Sequence, residues 1–91
     1  MIIPDNVTSI GIGAFLYCSA ITKIIIPDNI TTIEKWTFEG CTSLSEIIIP
    51  EGVTEIVWSA FSDCSNLTIK GPAGSYAETY SKENDIPFVA V

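Results

Sequence analysis

The apolar positions of this chain recur. Ile24-Ile25-Ile26 and Ile47-Ile48-Ile49 are β-branched runs, closed by Pro27 and Pro50, and Met1-Ile2-Ile3 before Pro4 is their counterpart. Such runs predict short strands of about three to five residues. After each proline comes a polar pair, Asp5-Asn6, Asp28-Asn29 or Glu51-Gly52, made of residue types that favour turns. A spaced apolar pair follows: Val7 with Ile10, Ile30 with Ile33, Val53 with Ile56. Next stand Ala14-Phe15, Thr37-Phe38 and Ala60-Phe61, and then Ile21, Leu44 and Leu67. Pro4, Pro27 and Pro50 are 23 residues apart, and so are the three phenylalanines and the cysteines Cys18, Cys41 and Cys64. A fixed period in the twenties means one structural unit stacked on copies of itself. Stacking places the strands side by side in a parallel sheet, with neighbours about 4.8 Å apart. Each unit carries apolar residues at matching heights and cannot bury them alone, so about three units are needed for stability. Three are present.

The pattern breaks after Leu67, where one residue is lost in Leu67-Thr68-Ile69-Lys70-Gly71. Ser75 followed by Glu78 is a capping box. Glu78 with Lys82 is an i,i+4 pair in the favourable order. The residues predict a helix over about 76–83, with Asn84 as a left-handed C-cap and Pro87 blocking continuation. A short strand is expected around Ile86 to Val89. Tyr76, Tyr80 and Phe88 are placed to cover the end of the last unit. At the other end, Met1 and Ile3, with Val7, Ile10 and Phe15, would present an open apolar surface, which favours a missing upstream segment or a covering partner.

Length and charge narrow the function. The 91 residues suffice for one domain. At 47% hydrophobic, the chain is too apolar for a disordered segment. No apolar run reaches the roughly 18 residues needed to span a bilayer. The net charge is −7, with no histidine or arginine. Phosphate backbones are repelled by such a chain, and the main base-reading residue is missing, so nucleic acid is excluded. An anionic membrane surface is disfavoured for the same reason. Repeat sequence begins directly after Met1 and leaves no room for a signal peptide. Either the protein is cytosolic or the chain is a fragment of a longer exported one, and a start inside a repeat favours the fragment.

The recurring Ile-x-Ile-Pro-x-x-Val-Thr-x-Ile, Ala-Phe, Cys and Leu resembles the BspA-like leucine-rich repeats, also called the Treponema pallidum type. The best matches are Ile24 to Pro27 with Ile30 to Ile33, and Val53 to Ile56 with Ala60-Phe61 and Cys64. The tail Gly74 to Tyr80, then Lys82-Glu83-Asn84 and Ile86-Pro87-Phe88, is similar to the C-terminal end of such arrays. Where this family often has glycine after the Val-x-x-Ile, this chain has Gly11, Glu34 and Val57; Trp36 and Thr37 also depart from the usual residues. The resemblance implies an α/β fold, a right-handed solenoid of three 23-residue coils (about 1–23, 24–46 and 47–68) with a parallel sheet on one face. A C-terminal helix–strand cap fills 69–91, and the whole of 1–91 forms one domain. It also implies a cell-surface or secreted location and a role in adhesion, with a protein ligand such as host extracellular matrix or another bacterium's surface protein.

Candidate chemistry is sparse. Three cysteines in a line, with parallel Cβ vectors, do not converge as a disulfide requires. Zinc wants four ligands, and no histidine is present. The thiols read as a buried ladder packing like small hydrophobes. Asp5, Asp28 and Glu51 also stack; calcium takes six to eight oxygens, and turn chemistry alone accounts for these residues. Three sequons, at Asn6, Asn29 and Asn66, matter only in a glycosylating host. Without a histidine base or a distinctive constellation, no catalytic residue, metal or cofactor is assigned.

The sheet surface says more. If Ile24 and Ile26 point inward, Ile25 points out. Ile2, Ile25 and Ile48 then form an apolar ladder on the concave face, near Lys23, Glu46 and Lys70. Two readings stand: isoleucine simply suits a strand, or the ladder is a protein-contact surface. Trp36 and Trp58 occupy segments where small or polar residues would serve; they pack against loops or form a second contact surface. The leading function is a noncatalytic protein-interaction module, an adhesin segment. The alternatives are a structural segment without a ligand and, remotely, a carbohydrate-binding module using both tryptophans. A homodimer is expected from the uncovered apolar surfaces.

Overall fold

A computed structural model of the chain describes residues 3–91. The elements in order are β1 (Lys23–Ile25), β2 (Thr32–Ile33), β3 (Glu46–Ile48), β4 (Glu55–Ile56), β5 (Thr68–Gly71), α1 (Tyr76–Glu83) and β6 (Phe88–Ala90). β1, β3, β5 and β6 form one sheet in that order, and every pairing in it is parallel. β2 and β4 form a second parallel pair. β1 and β3 start one residue before the isoleucine runs. The ladder nevertheless continues past them: the Ile26 amide donates to the Ile48 carbonyl at 3.0 Å and the Ile49 amide to the Lys70 carbonyl at 2.8 Å.

Register follows the repeat and then departs from it. Ile24 pairs with Ile47, but Ile47 pairs with Ile69. The third unit is therefore one residue short, at the place where the sequence pattern breaks. Each proline carbonyl closes a turn, accepting from Val7, Ile30 and Val53 at 3.1, 3.1 and 3.2 Å. Units are bonded to one another all round their circuit. Phe15 donates to the Thr37 carbonyl and Phe38 to the Ala60 carbonyl, both at 2.9 Å; Ser45 reaches Thr22 and Thr54 reaches Thr31. Backbone groups that a lone unit would leave unpaired are thus satisfied by its neighbour.

Ile24, Ile30, Ile33, Phe38, Leu44, Ile47, Ile49, Val53 and Ile69 are fully buried. The phenylalanines form a stack, with ring centroids 5.4 Å apart for both Phe15–Phe38 and Phe38–Phe61 and planes within 4° of parallel. Tyr80 ends the stack, tilted 57° against Phe61 at 6.1 Å. Cys41 and Cys64 sit beside it, and each thiol donates to the phenylalanine carbonyl one unit back: Cys41 to Phe15 at 3.2 Å, Cys64 to Phe38 at 3.0 Å. Burial pushes the Cys64 thiol up to about 11 and raises Cys41 as well. All three cysteines are free thiols.

The expected open apolar end is only partly open. Ile3 and Ile10 are buried and Val7 and Phe15 half-buried, while Met1 lies outside the described residues. At the other end α1 occupies its predicted span. The Ser75 side chain accepts from the Glu78 amide at 3.4 Å, but the Glu78 carboxylate reaches the Gly74 amide, at 2.7 Å, rather than that of the cap residue. The C-terminus differs from expectation too. Asn84 has φ −114°, and the left-handed residue is Asp85, at φ +55°. The Asn84 amide and side chain both donate to the Tyr80 carbonyl, which holds Asn84 in place and passes the reversal one residue on. α1 packs where Gly71 leaves room: a Cβ there would sit 2.7 Å from the Ile49 carbonyl oxygen and 3.6 Å from Ala77.

Candidate functional site

Alternation along the strands decides which side chains face out. β1 reads exposed, buried, exposed; β3 reads half-buried, buried, half-buried. Ile25 is 44% exposed, and Ile48, its direct cross-strand partner, is half-buried. Ile2 lies outside the described residues. In the other direction the row continues from Ile48 to Lys70 and then to Val89, which is 47% exposed. The missing residue in the third unit sets Lys70, rather than Gly71 at the 23-residue period, opposite Ile48. The outward row is thus Ile25, Ile48, Lys70 and Val89. Val89 was not among the predicted contact residues; the inward Phe88 beside it was the available signal.

The three predicted charged residues meet on this face. Glu46 and Lys23 are cross-strand partners. The Glu46 carboxylate takes Lys23 at 3.1 Å and Lys70 at 2.9 Å. Hydrogen bonds from Lys70 and then from Lys23 hold its carboxyl below the usual range. The apolar row therefore keeps its lysine occupied, and the Lys70 ammonium is drawn back toward Glu46.

At the C-terminal ends of β1 and β3 the chain turns away and leaves two clefts. One, of about 330 Å³, lies among Ile3, Asp5, Ile25, Ile26, Pro27 and Asp28. The other, of about 490 Å³, is lined by Asp28, Ile48, Pro50, Glu51, Pro72 and Val91, among others. Asp5, Asp28 and Glu51, which sequence reasoning assigned to turns, stand exposed along them. No group of three or more potential metal ligands occurs among the described residues.

The tryptophans lie elsewhere, in the turns leading to Phe38 and Phe61. Trp58 is 81% exposed. Trp36 is 42% exposed, has φ +64°, and lies under the Lys35 ammonium at 4.5 Å. One repeat earlier the same position holds Gly13, at φ +67°. A bulky residue in the left-handed region is a real outlier.

Parallel strands in repeat register, with isoleucines inside and a shared phenylalanine stack, define a repeat protein. Residues 1–76 match the family described as BspA type leucine rich repeat region (6 copies). The chain belongs to that BspA-type leucine-rich repeat family. No curated protein and no solved structure matches it significantly. Repeats of this class generally mediate protein binding. No helix among the described residues is long and apolar enough to cross a membrane.

Proposed function

We propose that residues 1–91 form one domain, a right-handed three-coil leucine-rich repeat solenoid with a helix–strand cap, and that it serves as a noncatalytic protein-interaction module at a cell surface, as part of an adhesin. The observation that carries this reading is the in-register outward pair Ile25 and Ile48, continued by Lys70 and Val89. Aligned exposed apolar groups beside a fixed charge pattern favour contact with another protein over simple strand propensity. The test is to pan a random-peptide library on the protein and rebind the enriched peptides to variants. Binding that is lost in Ile25→Lys/Ile48→Lys and kept in Trp58→Ala supports the sheet face. A second reading is favoured by the exposed, strained Trp36 and by Trp58: a stacking platform for a sugar or peptide. Peptides or oligosaccharides that ignore the sheet variant but fail on Trp58→Ala transfer the site there. A protein that enriches no saturable binder is a structural segment.

A further inference from the structure

The two clefts share Asp28 and open beside Ile25 and Ile48. Together they make a trough that crosses the repeats along the strand ends. Its accessible lining is apolar, from Ile25 to Ile48, Pro50, Pro72 and Val91, with Ile26 and Ile49 buried behind. Its rim is acidic: Asp5, Asp28 and Glu51 are all exposed, and no ion pair among the described residues reaches them. Every basic side chain of the chain is engaged elsewhere. Lys23 and Lys70 bond Glu46, Lys82 bonds Glu78, and Lys35 lies over Trp36. The trough is thus an apolar channel whose negative edge meets no counter-charge among the described residues.

We propose that this trough binds an extended segment of a partner protein in which basic and apolar side chains alternate. The proposal rests on the protein-interaction reading above and names the partner's chemistry. Alternate residues of an extended peptide are about 7 Å apart, and acidic groups on neighbouring strands recur about every 4.8 Å. Long, flexible lysine or arginine side chains bridge that difference, while apolar side chains settle on Ile25, Ile48, Pro50 and Pro72. An acidic segment is rejected by the same rim, which makes the charge a selectivity device as well as an attraction.

The probe is a capped heptapeptide, Leu-Lys-Leu-Arg-Leu-Lys-Leu, titrated into the isotope-labelled 91-residue chain, with the same peptide carrying glutamate at its three basic positions as comparison. The expected result is saturable shifts at residues 25–28 and 48–52 with the basic peptide and none with the acidic one. Asp28→Asn/Glu51→Gln should weaken binding about five- to tenfold, the worth of two rim ion pairs. Glu83→Gln/Asp85→Asn removes the same charge at the far end of α1 and should change affinity less than about twofold. Equal losses in the two variants mean diffuse attraction to an acidic protein and overturn the proposal. So do shifts confined to the tryptophan turns, or equal binding of the acidic peptide. Library peptides that need Ile25 and Ile48 but carry no basic residues would leave the sheet-face reading standing and sink this one alone.

Discussion

At the residue scale, Trp36 and Ser59 are side chains that the fold does not favour. Trp36 takes the left-handed backbone that Gly13 takes one repeat earlier. For a residue with a Cβ this costs about 1–2 kcal/mol, against about 0.5–1 kcal/mol returned by the exposed contact with Lys35. Trp36→Gly should therefore leave the melting temperature unchanged or raise it, where truncating a tryptophan in relaxed backbone would lower it; thermal denaturation decides. Ser59, at the corresponding place in the third repeat, avoids positive φ but buries a hydroxyl that finds no hydrogen-bond partner. Ser59→Ala removes the orphan group and should stabilise the protein by about 1 kcal/mol in urea unfolding. Cys64 sets an alkaline limit. Burial raises its thiol from 9.0 to about 11. Below pH 9 folded and unfolded chains both keep the proton. Between about 9 and 11 only the unfolded chain releases it, so stability falls across that window. Burial moves Cys41 and Tyr80 the same way. Melting curves from pH 8 to 11 should show the decline, and Cys64→Ser, which keeps a donor for the Phe38 carbonyl, should make it shallower.

At the scale of elements, the phenylalanine stack joins what short strands cannot hold alone. Strands of two to four residues contribute few ladder bonds each, and isolated pairs of that size are at best marginal. Phe38 is fully buried and touches rings on both sides. Truncating such a residue costs about 3–5 kcal/mol in lost transfer energy and cavity. A domain of this size has little more than that to lose. Phe38→Ala should leave the protein largely unfolded at 25 °C by circular dichroism; a melting temperature within a few degrees of wild type would show that the stack is not the keystone. α1 closes the stack through Tyr80, and its own stability is local, from the Ser75 cap and the Glu78–Lys82 pair at 3.1 Å.

At the scale of the molecule, most exposed apolar groups fall in two regions, the sheet row with Ile25 and Val89 and the turns with Ile12, Tyr17 and Trp58, while Tyr76 stands apart on α1. Self-association through the sheet row would be two-fold, the same row meeting itself. Two such rows also bring together matching Lys23–Glu46–Lys70 clusters, whose opposite charges can exchange partners. Wild-type protein at high micromolar concentration should sediment as a dimer, and Ile25→Lys/Ile48→Lys as a folded monomer. A wild-type monomer would reject the dimer. A dimer that persists in the double variant would assign it to another surface. The net charge of −7 opposes any such pairing at low salt, so added salt should strengthen it.

Periodicity determined β1, β3 and the inward isoleucines, because each depends on local pattern repeated in phase, while the span of α1 came from its own Ser75 cap and Glu78–Lys82 pair in the non-repeating tail. It also placed Ile25 outward, by simple alternation. Other features depended on contacts between units. The β2–β4 pair was not foreseen, since two extended residues within a Val-x-x-Ile spacing give no strand signal. The C-terminal reversal falls on Asp85 rather than Asn84 because Asn84 is tied to the Tyr80 carbonyl. The outward row runs into Lys70 because a one-residue deletion shifts register, and into Val89 because β6 pairs with β5; both are properties of strand pairing. The acidic trough was invisible for the same reason. Its carboxylates read as a stack of turn residues, and only their position beside the sheet turns that stack into the rim of an apolar channel.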